Sequence, residues 1–109
     1  MEELAEDRAA EVVIDARVES TGVPLITING ELDSSNVATL EATIASVAAG
    51  HPAQLVFDLS GLRFMDSAGI SALIGAAAKV DAVRLRQPSP AVTRVIELTG
   101  LSSVLPSEP

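Results

Sequence analysis

Two polar segments of this sequence carry residue types that could do chemistry. Asp33 and Ser34 follow a run of β-branched residues, and Asp66 and Ser67 precede an apolar run with helical spacing. A serine hydroxyl can act as a nucleophile or carry a phosphoryl group. A neighbouring carboxylate can bind a cation or position another group. The rest of the sequence decides between these chemistries.

A serine nucleophile requires a general base, and His51 is the only histidine of the chain. His51 stands just before a predicted strand whose far end leads toward Ser67. Seven extended residues span about 20 Å, so we expect His51 at the opposite edge of the sheet. We interpret His51 as a loop residue, and this placement argues against a serine hydrolase.

Other kinds of site find little support. Asp58 resembles the acceptor aspartate of a response-regulator receiver, but Glu19 stands alone where that site needs an acidic pair, and the only lysine is Lys79. Asp33 and Asp66 are two loop carboxylates, which form a poor magnesium cage without phosphate ligands. Glycine-rich phosphate loops and zinc spacings are missing. We therefore predict no catalytic residues, no metal site and no cofactor.

Ser67 has a purely structural interpretation as the N-cap of a helix, in which its hydroxyl accepts a backbone N–H. Most capping serines do no more than this. The functional interpretation depends on the residues before it, because we expect Arg63, Phe64 and Met65 to be exposed and to form a contact surface. A helix start also offers free N–H groups and the positive end of a dipole, which together tolerate a phosphate.

The hydrophobic pattern predicts the elements that position these segments. β-branched runs separated by a turn predict two antiparallel strands, and two later apolar runs predict two more. These four strands are predicted at 11–18, 23–29, 54–59 and 82–87. Apolar residues at helical spacing predict three helices. These helices are predicted at 35–49, over the residues around Ile70 to Ala77, and from Pro90 to Gly100.

The resulting order, ββαβαβα, contains two successive strand–helix–strand units and therefore implies parallel neighbours with right-handed crossovers. We predict an α/β fold with a mixed, mostly parallel sheet of four to five strands and about three helices. The strands at 23–29 and 54–59 are expected to run parallel, so their carboxyl ends share one edge of the sheet. Ligands and partners bind at such an edge, where we expect Asp33 and Ser34 to meet Asp66 and Ser67.

Composition limits the class of protein. The 109 residues are 48% hydrophobic and 20% charged, which is typical of one globular domain. A net charge of −8 repels phosphate backbones and anionic lipid, so we expect no direct nucleic-acid binding and no membrane insertion. The sequence has no cysteine, signal peptide or membrane-spanning run, and we expect a cytoplasmic location. We divide it into an acidic, flexible N-terminus at 1–10, a folded domain at 11–105 and a tail at 106–109.

Five short segments follow one another in an order that identifies a family. They are Gly30-Glu31-Leu32-Asp33, Asp58-Leu59-Ser60, Phe64-Met65-Asp66-Ser67-Ala68-Gly69-Ile70, Ser89-Pro90-Ala91-Val92 and Leu98-Thr99-Gly100-Leu101. Over about residues 11–105 the sequence resembles the anti-sigma factor antagonists, members of the STAS domain family. The resemblance implies a STAS-type fold.

The resemblance also implies a mechanism. Such proteins, when unphosphorylated, bind an anti-sigma factor that is a serine kinase with the histidine-kinase-like ATPase fold, and so release the sigma factor. The kinase phosphorylates the serine that matches Ser67, the antagonist dissociates, and a serine phosphatase resets it. The resemblance implies a monomer or weak dimer and partner binding by the residues around both segments. These residues are Asp33, Ser34, Arg63, Phe64, Met65, Asp66, Ala68, Gly69 and Ile70.

Two alternatives remain open from the sequence. A STAS domain can serve as a scaffold or an accessory subunit of a stress-signalling or lipid-transport assembly, with the same fold and without release by a kinase. An enzyme, such as a nucleotide hydrolase, is the other alternative, and the missing phosphate loop and the misplaced His51 argue against it.

Overall fold

The computed structural model of the protein describes residues 11–109, so the predicted acidic N-terminus at 1–10 lies outside the described residues. Over the described range the chain forms five strands and three helices. They are β1 (Val12–Val18), β2 (Pro24–Leu32), α1 (Val37–Ala48), β3 (Gln54–Asp58), β4 (Leu62–Met65), α2 (Ser67–Ala77), β5 (Ala82–Arg86) and α3 (Pro90–Leu98). The prediction of a mixed α/β fold is confirmed.

The five strands form one mixed sheet. β1 pairs antiparallel with β2, and the path continues through β3 to β5 by parallel pairing. Both strand–helix–strand units therefore have the parallel arrangement that the sequence predicts. β2 is the longest strand: β1 pairs along one of its edges, and the other edge is shared by β3 in the first half and β4 at the last residues.

The short strand β4 is absent from the predicted order, because the sequence analysis expects Arg63, Phe64 and Met65 to be exposed and assigns them to no strand. β4 pairs parallel with the end of β2, with Leu62 opposite Gly30 and Met65 opposite Leu32. The register shifts between these pairs, since Phe64 rather than Arg63 lies opposite Glu31. Arg63 is thus the extra residue of a β-bulge, and the observed order is ββαββαβα.

Alternating burial separates the two faces of the sheet. On β2, Ile26, Ile28 and Leu32 are fully buried and belong to the main hydrophobic core beneath the helices. On β3, all three central residues are buried, as the unbroken apolar run predicts, and Phe57 lies in this core. Val56 points the other way and is buried beside its strand neighbour Leu25, outside the main core.

The helix ends follow local side-chain chemistry. α3 begins as predicted, because the Ser89 hydroxyl accepts the backbone N–H of Val92 at 3.2 Å and Pro90 occupies the first helical position. α1 begins at Val37, two residues later than predicted, because residues 33–36 form turns before the helix starts. Within the part of the chain that the structure describes, none of these helices is long and apolar enough to cross a membrane.

The last residues differ from the predicted tail. The backbone N–H of Leu85 donates to the carbonyl of Pro106 at 2.9 Å, and the N–H of Glu108 donates to the carbonyl of Leu85 at 2.8 Å. Arg86 also pairs with Glu108 at 2.7 Å and with Glu19 at 2.9 Å. Residues 106–108 therefore pair with the outer edge of β5 at Leu85 and pack onto the folded domain. Backbone pairing of this kind leaves no hydrophobic pattern in three residues, so it could not be predicted from the sequence.

Candidate functional site

The structure brings the two polar segments together at the end of β2. Leu32 and Met65 are register partners on β2 and β4, and the N–H of Asp66 donates to the carbonyl of Leu32 at 3.2 Å. Asp33 and Asp66 therefore leave adjacent strand ends. The predicted neighbourhood is present, but β4 creates it rather than β3, which ends opposite Thr27 in the middle of β2.

Asp66, not Ser67, is the N-cap of α2. Its backbone is extended, and its Oδ1 accepts the N–H groups of Ala68 at 2.9 Å and Gly69 at 3.4 Å. Ser67 is consequently the first residue of the helix. The structural interpretation of Ser67 as the capping residue is wrong, because the aspartate before it accepts the hydrogen bonds that a capping serine would accept.

The Ser67 side chain is exposed, and within residues 11–109 its hydroxyl takes part in no hydrogen bond. It stands at the positive end of the α2 dipole, where added negative charge is favourable. The expectation of several free N–H groups there needs correction, because the Asp66 carboxylate already binds two of them. A phosphate on Ser67 would meet the helix dipole together with a carboxylate on the preceding residue.

Asp33 is held by the turn that follows it. Its Oδ1 accepts the backbone N–H of Ser35 at 2.8 Å and the Ser35 hydroxyl at 2.6 Å. These hydrogen bonds hold the pKa of the Asp33 carboxyl below its ordinary value. Ser34, between them, is exposed. Asp33 thus shapes the loop and keeps a negative charge beside the start of α2.

Asn36 closes the same turn, a role that the sequence analysis did not assign. Its Oδ1 accepts the backbone N–H of Asp33 at 3.0 Å, and its Nδ2 donates to the carbonyl of Glu31 at 2.9 Å. Asparagine directly before an apolar helical run is a common cap signal, which would have drawn attention to this position.

The β4 bulge sends consecutive side chains in different directions. Phe64 is 52% exposed and shares the sheet face of its register partner Glu31, whereas Met65 is 7% exposed and packs into the core. The prediction that Met65 is exposed is therefore wrong. Arg63, at the bulge, is exposed and lies 3.4 Å from the Glu31 carboxylate. A pair this exposed contributes little stability.

Two further residues of the predicted binding surface are buried in the first turn of α2. Gly69 is buried, and a Cβ there would lie 2.8 Å from Leu32 Cδ2 and still closer to Met65. Ile70 is 7% exposed and belongs to the core. Gly69 thus allows α2 to approach the β2–β4 corner, and Ile70 anchors it. Both residues are buried in this structure, and their direct contact with a partner stays a prediction.

The remaining candidates have structural roles. Asp58 Oδ1 accepts the N–H and the hydroxyl of Ser60 at 3.0 and 2.8 Å, so it shapes the turn before β4. His51 is exposed in the turn between α1 and β3, as expected for a loop residue. Within the described residues no cluster of three metal-ligating side chains occurs. The carboxylates of Asp33 and Asp66 are already hydrogen-bonded.

Comparison with known proteins shows which proteins this chain resembles. A family model described as STAS domain matches residues 16–109. The anti-sigma F factor antagonist of Lysinibacillus sphaericus is 34% identical, over 71% of this chain and 70% of its own length. The anti-sigma-F factor antagonist RsfB of Mycobacterium tuberculosis is 39% identical over 54% of this chain, and the match spans 48% of RsfB.

The fold is also similar to that of a solved structure. The crystal structure of an anti-sigma factor antagonist from Mycobacterium paratuberculosis aligns with a TM-score of 0.83 and 30% identity. The alignment covers 91% of this chain and 86% of that one. The sheet order and helix positions described above are therefore those of a known domain type.

Proposed function

This chain belongs to the STAS domain family, and from that membership we propose that it is an anti-sigma factor antagonist controlled by phosphorylation of Ser67. The unphosphorylated form binds an anti-sigma factor that is a serine kinase and thereby releases the sigma factor. Phosphorylation ends the binding, and a serine phosphatase restores it. The names of the relatives, which are anti-sigma F factor antagonists, support the proposal that this chain binds an anti-sigma factor.

The observation that carries the proposal is that the Ser67 side chain is exposed and does not cap the helix. An acceptor hydroxyl must reach a kinase active site and must be free of hydrogen bonds that hold it in the fold. Ser67 is exposed, and Asp66 performs the capping that would otherwise occupy its hydroxyl. This arrangement favours a modification site over a structural serine.

The docking surface follows from the exposure of its neighbours. Ser34, Arg63 and Phe64 present exposed side chains near the β2–β4 corner. Asp33, Asp66 and Ala68 are partly buried and border this surface. The proposed surface therefore excludes Met65, Gly69 and Ile70 and keeps the other six predicted residues around Ser67.

Charge alone is sufficient for the switch. A phosphoserine carries about −1.5 to −2 charges near neutral pH. One carboxylate or nucleotide phosphate of the partner at about 6 Å would repel each unit charge by about 2.8 kcal/mol at an effective dielectric constant of 20. Each 1.4 kcal/mol corresponds to about a tenfold change in affinity, so even half of a two-charge penalty weakens binding by nearly two decades.

The first experiment identifies the partner. Ser67→Ala protein, immobilised and exposed to lysate of the native host, should retain a serine kinase that mass spectrometry identifies. Ser67→Asp protein is the paired bait and should retain much less of it. Equal recovery of the kinase on both baits would contradict control at Ser67.

The second experiment measures the switch with the purified partner. We expect Ser67→Ala to bind like the unmodified protein and to accept no phosphate, and Ser67→Asp to bind at least tenfold more weakly. Ser20→Asp is the matched control, because Ser20 is exposed in the turn before β2 whereas Ser67 lies beyond its far end. Equal losses at Ser20 and Ser67 would show a non-specific effect of charge.

A further inference from the structure

The two outer edges of the sheet differ in their protection. At β5, residues 106–108 pair with the backbone of Leu85, and Arg86 binds the carboxylate of Glu108. β1 forms the opposite edge, and among residues 11–109 its only strand partner is β2. An open edge strand is a template for pairing with another chain, so β1 is where the sheet can be extended.

The pairing of β1 with β2 determines which residues of β1 have backbone N–H and C=O groups pointing away from the sheet. Glu31 N–H donates to the carbonyl of Glu11, and Glu19 N–H donates to the carbonyl of Val23. In an antiparallel ladder such hydrogen-bonded positions alternate, so the backbone N–H and C=O groups of the odd-numbered residues of β1 point toward β2. The N–H and C=O groups of the even-numbered residues point away from the sheet. These residues are Val12, Ile14, Ala16 and Val18.

The side chains along this edge suit a second copy of the same strand. Asp15 and Arg17 are 64% and 67% exposed, and they contact each other only loosely, at 3.9 Å. Between them Ala16 is exposed and small, and Val18 is 65% exposed. A negative and a positive charge placed symmetrically about a small residue are complementary to their own two-fold copy.

We propose that two copies of this chain associate through β1, paired antiparallel about Ala16, to form one continuous sheet. In this register Ala16 lies opposite Ala16 of the second copy and Ile14 opposite Val18. Each Asp15 then faces the Arg17 of the other copy, so both charge pairs are satisfied across the axis. Ser67 follows β4, which pairs with β2 on the edge opposite β1, so the surface around Ser67 stays accessible in such a dimer.

Charge also discriminates against the neighbouring registers. Because every second residue of β1 points its N–H and C=O groups outward, the two-fold axis between the copies can move along β1 by one residue at a time. With the axis at Asp15 two carboxylates face each other, and with the axis at Arg17 two guanidinium groups do. Like charges directly opposite in a ladder are destabilising, so Ala16 is the favoured centre between them.

The association should be weak and dependent on concentration. A single strand of seven residues buries much less than the 1,200–2,000 Å² typical of stable interfaces. Two chains of net charge −8 also repel each other, so measurements belong near 0.15 M salt, where the screening length is about 8 Å. Sedimentation of the full chain should shift from monomer toward dimer as concentration increases.

Disulfide trapping tests the register, since the chain has no cysteine of its own. Opposite residues of a hydrogen-bonded antiparallel pair lie about 5.5 Å apart at Cα, within disulfide range. Ala16→Cys should therefore cross-link rapidly on mild oxidation. Ile14→Cys and Val18→Cys should each cross-link slowly alone, because their copies lie about 13 Å apart, but should cross-link when mixed.

A charge exchange tests the same pairing without cysteine. Asp15→Arg and Arg17→Asp should each weaken self-association about tenfold or more, since each places like charges opposite each other. An equimolar mixture of the two variants should restore association as a heterodimer. A purely monomeric protein at every concentration, faster trapping at Ile14 or Val18 than at Ala16, or failure of the mixture to associate would each overturn the proposal.

Discussion

The backbone N–H of Asp66 donates to the carbonyl of Leu32, with 3.2 Å between nitrogen and oxygen. This single hydrogen bond continues the pairing of β4 with β2 by one residue and fixes where α2 begins. The Asp33 turn and the start of α2 therefore follow adjacent strand ends, although 34 positions separate Asp33 from Ser67 in the sequence.

Asp66 and Ser67 should differ sharply in their effect on stability. Asp66→Ala removes the cap of α2 and leaves the N–H groups of Ala68 and Gly69 without their acceptor, so we expect a loss of about 1 kcal/mol, within a range of 0.5–2. Ser67→Ala removes an exposed hydroxyl and should change the unfolding free energy by less than about 0.5 kcal/mol. Urea denaturation measures both. A larger loss at Ser67 would identify it as the cap.

Two glycines of α2 provide a matched pair. A Cβ at Gly69 would collide with Met65 and Leu32, so Gly69→Ala should destabilise the domain by about 1–3 kcal/mol. Gly75 has no other atom within 4 Å of its Cβ direction, and Gly75→Ala should stabilise the helix by about 0.5–1 kcal/mol. Thermal unfolding of both variants measures the difference. Equal changes would contradict the close contact at Gly69.

Phe64 and Met65 are adjacent in sequence but face opposite sides of the sheet. Met65→Ala should cost about 2–5 kcal/mol, because the Met65 side chain is buried in the core. Phe64→Ala should cost less than about 1 kcal/mol, because half of that ring is exposed, and should weaken binding of the kinase partner. Denaturation and binding assays on both variants separate the two roles. If Met65→Ala lost binding and kept its stability, the assignment of Met65 to the core and of Phe64 to the binding surface would be wrong.

The contact between Glu19 and Arg86 should make stability depend on acid pH. Hydrogen bonds from Arg86 hold the pKa of Glu19 below its ordinary value of 4.5. The folded state therefore binds this proton less readily than the unfolded chain, so the stabilisation is complete above pH 4.5 and is lost as the pH falls through the folded pKa. Glu19→Gln should lower the urea midpoint at pH 7, and the difference from the unmodified protein should narrow below pH 4.5.

Glu97→Gln is the control for this pH dependence. Glu97 is exposed on α3, and among the described residues it makes no ion pair. Its substitution should leave the urea midpoint nearly unchanged at both pH values. A pH-independent loss at Glu19, or an equal loss at Glu97, would show that the Arg86 contact is not responsible.

The elements with strong periodicity could be predicted from the sequence, because burial imposes a pattern on them. β3 shows three consecutive buried residues, and α3 shows a capping serine followed by proline. β4 could not be predicted, since it has four residues and a bulge at Arg63 interrupts its alternation. A bulge of this kind is specified by pairing with another strand rather than by local sequence.

The candidate site shows the same limit at the level of side chains. The sequence predicts that Asp33 and Ser67 share one edge, but it does so from the pairing of β2 with β3, whereas the structure brings the two segments together through β4. Which of Asp66 and Ser67 caps α2 could not be predicted, because both residue types cap helices well and only the backbone geometry decides between them. The burial of Met65 could not be predicted for the same reason as β4, since it depends on where the bulge falls.

The placement of the cap on Asp66 has a consequence for how this domain can change. The Ser67 side chain makes no hydrogen bond within residues 11–109, so a threonine, a permanently charged residue or a residue without an acceptor hydroxyl could replace it while α2 keeps its start. Under the proposed control by phosphorylation, one substitution at this position would therefore change or abolish the switch. The scaffold that presents this position would not need to be rebuilt.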